Sequence, residues 1–315
     1  MKNSIKTPDR PLSFAEKEQV CEELFLSRGP FYHLCTPGEE TLTLFENEDD
    51  FRFSMNLIAL ATHLTPDINI ITFEVMRSHL HVIGEGRIDA AWNWFGSLRK
   101  RLYRFYQSTG RVRNLDAFQP NIIEINDLQF LRNSIVYVNR NGYLVHPECT
   151  PFSYPWGANR FFFSPDARLR RDSCYGDLSY DEKRQLFRSN SIEYPAAHTL
   201  VDGYVSPANY CDFFLGEGLF REASHYFNLI SRAVEGYRDI AKLLGDSFFC
   251  TDDELFLIVR QISKDKYGIS RPETLPPDQK QELAKIMHYE YKAGDQQVRR
   301  MLRVKEADIR ALFGR

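Results

Sequence analysis

The alternation of apolar and polar positions divides the first half of the chain into short strands and amphipathic helices. Apolar, β-prone runs predict strands at 31–35, 68–75, 79–83 and 121–125. Apolar residues at helical spacing, with capping residues before them, predict helices at 14–26, 51–62, 88–106 and 127–141. After the first helix the order is strand, helix, strand, strand, helix, strand, helix, which is typical of an α+β fold with an antiparallel sheet.

The same pattern makes three finer predictions. Gly84-Glu85-Gly86 ends the third strand, and Gly142 ends the helix at 127–141. The helix at 88–106 buries a stripe of five apolar residues, namely Trp92, Phe95, Leu98, Leu102 and Phe105.

The second half of the chain carries weaker signals. Residues 147–164 are aromatic and irregular, and 179–244 is predicted to be mainly helical without a chemical motif. Pro276-Pro277 opens a C-terminal unit. Within 295–313 the apolar positions predict two short helices across a tight turn, the second at about 306–313, and a further helix at 278–292 precedes them. This spacing of apolar residues predicts a helix-turn-helix motif, whose second helix would enter the major groove of DNA. A helical hairpin that packs on the middle region is the alternative.

Four domains follow from these patterns. They are an N-terminal tail and helix (1–28), an α+β domain (29–165), a mainly α-helical middle region (166–275) and a helix-turn-helix-like unit (276–315).

Composition narrows the class of protein. The 315 residues are 43% hydrophobic and 14% aromatic, which is enough for filled cores. No apolar run of about eighteen residues occurs and the N-terminus lacks an apolar signal core, so we expect an unexported, cytoplasmic protein without a membrane span. The six cysteines are scattered without a C-x-x-C pair, which predicts free thiols and no zinc framework.

Positive charge is concentrated in two places although the net charge is −3. Residues 260–315 hold 13 Lys or Arg against 8 Asp or Glu. The stretch 99–113 has no acidic residue and six basic ones, namely Arg99, Lys100, Arg101, Arg104, Arg111 and Arg113. Such clusters favour contact with phosphate. A solvated helix face is the ordinary alternative.

Two histidines one residue apart give the first candidate chemistry. His79 and His81 lie in a β-prone run, so both imidazoles would leave one face of the strand and form half of a metal site. A third ligand is needed. Tyr137 and Asn141 share a face of the helix at 127–141, because residues four apart on a helix lie one above the other. The ordinary alternatives are a core tyrosine and a helix-terminal asparagine.

These residues together resemble a known family. The segment around His79-Leu80-His81 resembles the Met-Pro-Asn-His-x-His strand of single-tyrosine HUH transposases, and Phe31-Tyr32-His33-Leu34 resembles their first strand. Tyr137 to Asn141, with Leu144-Val145 and Tyr154-Pro155-Trp156 after it, resembles their tyrosine helix and the turn that follows. The resemblance covers about residues 28–165 and is greatest to the REP-associated branch. Arg77-Ser78 replaces Pro-Asn, and Gly142 stands where the family usually has proline.

The resemblance implies an HUH-type antiparallel sheet with flanking helices and a set of residue roles. His79, His81 and Asn141 would ligate Mg²⁺ or Mn²⁺, and Tyr137 would be the nucleophile that forms a 5′-phosphotyrosine. Single-stranded or hairpin DNA would be the substrate of a monomer or homodimer. We expect eight basic residues to contact that DNA, namely Arg99, Lys100, Arg101, Arg104, Arg299, Arg300, Arg303 and Arg310.

Two other functions remain open from the sequence. A domesticated regulator could bind DNA on the same fold without cutting it. A metal hydrolase unrelated to DNA would need a general base beside the metal. The sequence shows no obvious acidic candidate, because Glu74 lies five residues before His79 and beyond the break between the strands.

Overall fold

A computed structural model gives the architecture of the chain. It describes residues 11–36, 44–111, 115–116, 118–145, 149–150, 152–189, 193–231, 240, 243–244, 252–291 and 293–313. The chain divides into two compact units, the first containing the residues up to Tyr143 and Glu148–Ser231, the second Arg232–Arg315 with Leu144–Pro147. Among the described helices, none is long and apolar enough to cross a membrane.

The first unit contains the predicted antiparallel sheet. Its strands are β1 (Phe31–Cys35), β2 (Ile68–Val75), β3 (Leu80–Gly86) and β4 (Asn121–Ile125), in the spatial order β2-β3-β1-β4. All three pairings are antiparallel. Two details of β3 differ from the prediction: His79 precedes the strand, and Gly84 to Gly86 belong to it because they pair with β1 and β2.

The four helices predicted from the sequence are present in this unit. They are α1 (Phe14–Ser27), α2 (Glu48–Leu64), α3 (Ile88–Ser108) and α4 (Leu128–Val145). Asn47 and Asp127 act as caps, since their side-chain oxygens accept hydrogen bonds from the backbone N–H groups of Asp50 and Phe130. The α+β order expected from the sequence is therefore confirmed.

The buried stripe of α3 begins on a different tryptophan from the predicted one. Trp92 is 49% exposed, whereas Trp94 is fully buried and donates from its indole nitrogen to Thr62 Oγ1 at 3.0 Å. Positions 92 and 94 point to opposite sides of a helix. The stripe therefore runs through Ala91, Trp94, Phe95, Leu98, Leu102 and Phe105.

The region after α4 holds short helices and a second sheet. The helices are α5 (Pro165–Leu169), α6 (Tyr180–Phe187), α7 (Phe213–Gly218) and α8 (Ala223–Ile230). The strands β5 (Ser173–Cys174), β6 (Thr199–Val201) and β7 (Tyr204–Val205) pair antiparallel. The prediction of a mainly helical region missed this sheet, because strands of two or three residues are too short to show an alternating pattern.

All regular secondary structure in the described part of the second unit is helical. Its helices are α9 (Asp252–Tyr267), α10 (Pro277–Tyr291), α11 (Asp295–Leu302) and α12 (Glu306–Phe313). Arg303 ends α11 in the left-handed conformation (φ 49°, ψ 49°), the place that glycine usually takes. The three helices expected in the C-terminal unit are present at α10 to α12. Their DNA-binding role and the four domain boundaries stay predictions.

Helix α4 continues past Gly142 to Val145, so the predicted stop at that glycine is wrong. A Cβ atom at position 142 would lie 2.1 Å from the ring of Tyr154. The Tyr154 hydroxyl donates to the carbonyl oxygen of Val75 on β2 at 2.8 Å, which holds the ring in place. Gly142 is therefore needed for close packing and not for chain reversal.

We predict that Gly142→Ala destabilises the fold by about 1–3 kcal/mol, because the added methyl group forces the Tyr154 ring from its site. Gly96→Ala is the matched control: Gly96 is exposed in the middle of α3 with nothing within 4 Å of its added Cβ. This control should stabilise by about 0.5–1 kcal/mol. Urea denaturation measures both. Equal effects of the two substitutions would contradict the packing role.

Candidate functional site

One row of side chains crosses the four-stranded sheet. The strand registers place Glu74 of β2 opposite His81 of β3, His81 opposite Cys35 of β1, and Cys35 opposite Asn121 of β4. Directly opposed residues of antiparallel strands project from the same face. Glu74, His81 and Cys35 are each at most 2% exposed. The row is therefore buried from Glu74 to Cys35 and reaches the surface at Asn121.

His33 and Cys35 contact the two ring nitrogens of His81. His33 Nε2 lies 3.3 Å from His81 Nδ1, and Cys35 Sγ lies 3.8 Å from His81 Nε2. When Nδ1 of His81 is the donor in the first contact, its Nε2 carries the lone pair that a metal requires. The sequence assigned no role to either residue. Their position two residues apart on the neighbouring strand was the available signal.

His79 reaches the same place from the residue just before β3. Its ring centroid lies 5.0 Å from that of His81, with the two planes nearly perpendicular at 84°. Ser78 Oγ lies 3.1 Å from His79 Nδ1. A hydroxyl in this position orients the imidazole, as the outer partners of metal-binding histidines do. Ser78 thus supplies a contact to the first histidine.

Tyr137 brings α4 over the histidines. Its ring centroid is 5.6 Å from that of His81 and 6.1 Å from that of His33. Asn141 follows one helical turn later, and both residues are buried, at 2% and 6% exposure. The structure therefore groups His79, His81 and Tyr137, with Asn141 on the same helix face. Their chemical roles stay predictions.

The donor types limit how a metal could be held. Among the described residues, no three His, Cys, Asp or Glu side chains are grouped closely enough to hold a metal ion. Two imidazoles can supply nitrogen ligands, so a third ligand must come from another residue type. Asn141 offers an amide oxygen, which suits Mg²⁺ or Mn²⁺, and its buried Nδ2 has no hydrogen-bond partner among the described residues. The residues therefore fit such an ion through the asparagine.

Glu74 lies beside the histidines, contrary to the expectation from the sequence. The hairpin between β2 and β3 pairs Val75 with Leu80, so Glu74 falls opposite His81. One carboxylate oxygen, Oε2, accepts a hydrogen bond from the backbone N–H of Gly142 at 2.7 Å. The other, Oε1, is buried without a partner among the described residues. An acidic side chain on β2 therefore contacts both the histidine strand β3 and the backbone of α4.

Burial decides the charge state of Glu74. It raises the pKa of the carboxyl group well above its usual range, although the hydrogen bond from Gly142 opposes the shift. The protein nevertheless makes room for this side chain. A Cβ atom at Gly157, which forms a bridge with Glu74, would lie 3.1 Å from Glu74 Cγ. A nearby cation would favour the ionised form.

A second polar contact fixes the middle of α4. Thr72 Oγ1 donates to Asn139 Oδ1 at 2.5 Å, and Asn139 Nδ2 donates to the Tyr226 hydroxyl at 2.8 Å. The Tyr226 hydroxyl donates in turn to Asn159 Oδ1, and Asn159 Nδ2 donates to the Asn139 backbone oxygen at 3.1 Å. This closed network holds α4 in register with β2, and hence Tyr137 over His81.

The basic residues of 99–113 are of two kinds: some bind other parts of the protein, and others have no acidic partner in the part of the chain that the structure describes. Arg99 donates from Nε and Nη2 to the carbonyl oxygen of Leu115, at 3.1 and 2.7 Å, and Arg111 makes two short hydrogen bonds to Asp50. Lys100, Arg101 and Arg104 have no acidic partner among the described residues. Burial and then the neighbouring Arg104 lower the pKa of Arg101. Arg113 lies outside the described residues.

The basic residues of the C-terminal unit also differ from one another. Arg299 and Arg310 both form ion pairs with Glu306, at 3.1 and 2.5 Å, on the protein surface. Exposed pairs of this kind contribute little and can be exchanged for another anion. Arg300 and Arg303 are exposed near the turn between α11 and α12.

No family model matches the sequence, and no curated protein matches it. Among solved structures, a REP-associated tyrosine transposase bound to a REP hairpin is similar to this chain, with a TM-score of 0.35 and 13% sequence identity. The match covers 56% of this chain and 94% of that one. Similarity at this level transfers no residue role.

We predict that Glu74 makes the metal-free fold less stable as the pH rises. Below the ordinary carboxyl value of 4.5 the group is protonated whether folded or unfolded. Above it, the unfolded chain ionises while the folded protein keeps the proton, so the free energy of unfolding falls until the raised folded pKa is reached. Glu74→Gln should remove this part of the decline, measured by urea unfolding in EDTA at a series of pH values.

Glu85 provides a control of opposite sign. Burial alone would raise its pKa, but hydrogen bonds from Arg28, Gly29 and Asn69 outweigh it and lower the pKa to about 2. Its contribution is therefore complete above the ordinary carboxyl pKa and is lost as the pH falls towards the folded value. Glu85→Gln should therefore lower the free energy of unfolding by the same amount at every pH above the ordinary carboxyl value of 4.5. A steep decline that persists in Glu74→Gln would assign the pH dependence to another group.

Proposed function

We propose that this protein is a metal-dependent DNA-cleaving and strand-transferring enzyme that uses Tyr137 as its nucleophile. The observation that carries the proposal is the packing of the Tyr137 ring against His81, whose own ring packs against His79. A tyrosine whose ring packs on an imidazole has a group beside it that can activate a hydroxyl nucleophile or hold a metal. The family resemblance of these residues supports the same chemistry.

The residues have distinct parts in this reaction. His79, His81 and Asn141 would hold Mg²⁺ or Mn²⁺, and the ion would supply polarisation of the scissile phosphate and stabilise charge on the leaving oxygen. Tyr137 Oη forms a bond to phosphorus while the bond from phosphorus to the 3′ oxygen breaks. The tyrosine proton is lost and the departing 3′ oxygen gains one. The products are a 5′-phosphotyrosine and a 3′-hydroxyl, and the reverse step rejoins strands without ATP.

DNA contacts come from two surfaces. Lys100, Arg101 and Arg104 of α3 form a basic surface without acidic neighbours among the described residues, and like charges held together favour an incoming phosphate. In the second unit, Arg299, Arg300, Arg303 and Arg310 are concentrated on α11 and α12. The substrate we propose is single-stranded or hairpin DNA. Arg99 is better assigned to holding Leu115.

One observation favours a second function, DNA binding without cleavage. Tyr137 and His81 are 2% and 0% exposed, so DNA cannot reach them in the described arrangement. Both ring nitrogens of His81 also have protein neighbours. Cleavage therefore requires that a covering element moves, whereas a regulator would need no such movement. A metal hydrolase also regains a candidate base, since Glu74 lies opposite His81.

We predict that the purified protein, with Mn²⁺ or Mg²⁺ and single-stranded DNA from the flanks of its own gene, forms a covalent adduct on a denaturing gel. Tyr137→Phe should abolish the adduct completely, because it keeps the buried ring and removes only the nucleophilic hydroxyl. DNA binding by this variant should be unchanged.

Three results separate the functions. Binding without an adduct would favour the regulator. Cleaved DNA without an adduct, insensitive to Tyr137→Phe, would favour a hydrolase that uses water. An adduct that persists in the variant would place the nucleophile elsewhere.

We predict that Lys100→Ala and Arg104→Ala each weaken DNA binding about equally for all sequences. The slope of the logarithm of affinity against the logarithm of salt concentration should fall by about 0.7 for each lost phosphate contact with a single strand. Fluorescence anisotropy at several salt concentrations measures this slope. Arg87→Ala is the control, since Arg87 is an exposed residue at the start of α3 that pairs with Asp89. An equal loss in this control would indicate a general charge effect.

A further inference from the structure

Glu74 and Asn141 each bury one polar atom that lacks a hydrogen-bond partner among the described residues. These atoms are Oε1 of Glu74 and Nδ2 of Asn141. A carboxyl oxygen can accept a hydrogen bond, whereas an amide nitrogen can only donate one. They belong to neighbouring positions, because the other oxygen of Glu74 accepts from the N–H of Gly142, the residue directly after Asn141, at 2.7 Å.

We propose that Glu74 is the positioning residue of Asn141. When the site holds its divalent ion, Glu74 Oε1 accepts a hydrogen bond from Asn141 Nδ2, and the amide oxygen is turned towards the ion. The inference deepens the proposed function and rests on its metal site. An amide side chain has two ends of similar shape, of which only the oxygen binds a cation. A fixed acceptor at the nitrogen end decides between them.

The protein holds this acceptor firmly. Glu74 lies on β2, opposite His81, so the strand that carries it is paired with the strand of the metal-binding histidine. Its carboxylate is 2.7 Å from α4 at one oxygen. A Cβ atom at Gly157 would lie 3.3 Å from its other oxygen, Oε1, so the carboxyl group has a defined place beside that chain segment. One side chain thus contacts both structural elements that bring the ligands together.

Outer-sphere carboxylates of this kind affect metal affinity through the ligand they orient. Loss of such a partner typically costs about 10–100-fold in affinity. A purely structural buried carboxyl would instead affect the stability of the metal-free protein. The two roles can therefore be separated by measuring metal binding and stability independently.

The first test measures Mn²⁺ binding by the full-length Glu74→Gln protein without DNA. Calorimetry and the electron paramagnetic resonance signal of free Mn²⁺ are the two readouts. Glutamine keeps the size of the side chain and can still accept from Gly142. Its amide nitrogen, however, is a donor that faces another donor. Affinity should fall about 10–100-fold, while the metal-free melting temperature stays at or above that of the wild type. Unchanged affinity would overturn the proposal.

The second test exchanges the two partners. Asn141→Asp supplies an oxygen that can accept from the glutamine at position 74 and leaves a second oxygen for the ion. The gain in Mn²⁺ affinity produced by Asn141→Asp should therefore be larger in the Glu74→Gln background than in the wild type. Equal effects in both backgrounds would mean that the two residues act independently, and the positioning role would be wrong.

Thr72→Val is the matched control. It removes the other side-chain hydrogen bond between β2 and α4, the one to Asn139, without touching Asn141. It should lower stability and reduce Mn²⁺ affinity far less than Glu74→Gln does, because the hydrogen bond from the N–H of Gly142 to Glu74 remains. A loss of affinity equal to that of Glu74→Gln would assign the effect to general docking of α4. If the wild-type protein binds no Mn²⁺, the metal site of the proposed function fails, a result distinct from failure of Glu74 alone.

Discussion

The close approach of α4 to the sheet at Gly142 is the contact on which the candidate site depends. Gly142 admits the Tyr154 ring on one side and donates its N–H to Glu74 on the other. No side chain larger than hydrogen fits against that ring without displacement. Because Tyr137 and Asn141 lie within the preceding helical turns, this contact and the Thr72–Asn139 hydrogen bond set their distance from the histidines. Glycine at position 142 therefore has a packing reason.

The contact between α4 and the sheet buries polar groups, which costs free energy that an apolar core would not cost. A buried polar group without a partner costs about 1–3 kcal/mol. Glu74 and Asn141 each bury one such atom among the described residues, and Glu74 also accepts a hydrogen bond from the residue that follows Asn141. Apolar side chains of similar volume would remove the cost. Two such groups in the elements that carry the candidate site are the pattern expected where local stability is exchanged for function.

The elements of the first unit were predictable because their periodicity and caps agree. Strands β1, β2 and β4 and the capping of α2 and α4 follow directly from the sequence pattern, and so does the pairing of Tyr137 with Asn141 on one helix face. Glu74 was missed because distance along the chain was taken as distance in space. A four-residue reversal at 76–79 brings positions 74 and 81 together. Symmetry about that reversal would have identified the carboxylate.

Other features required three-dimensional information. Trp92 and Trp94 differ by only two positions, and tertiary packing alone decides which is buried. His33 joins the site through the order β3-β1, which no local pattern specifies. The division of the basic cluster also depends on folding, because Leu115 and Asp50 are distant in sequence from the arginines that bind them. Charge counting finds a basic segment but cannot separate structural cations from those that remain for DNA.

Access of DNA to Tyr137 distinguishes a DNA-cleaving enzyme from a DNA-binding regulator better than the identity of the site residues does. The hydroxyl must come within bonding distance of phosphorus, yet its residue is 2% exposed and lies on a helix fixed by two sheet contacts. Cleavage therefore requires an opening whose free energy is supplied by DNA binding. A regulator would bind DNA with this helix in place. Hydrogen exchange at α4 should thus increase on DNA binding in a cleaving enzyme and stay constant in a regulator.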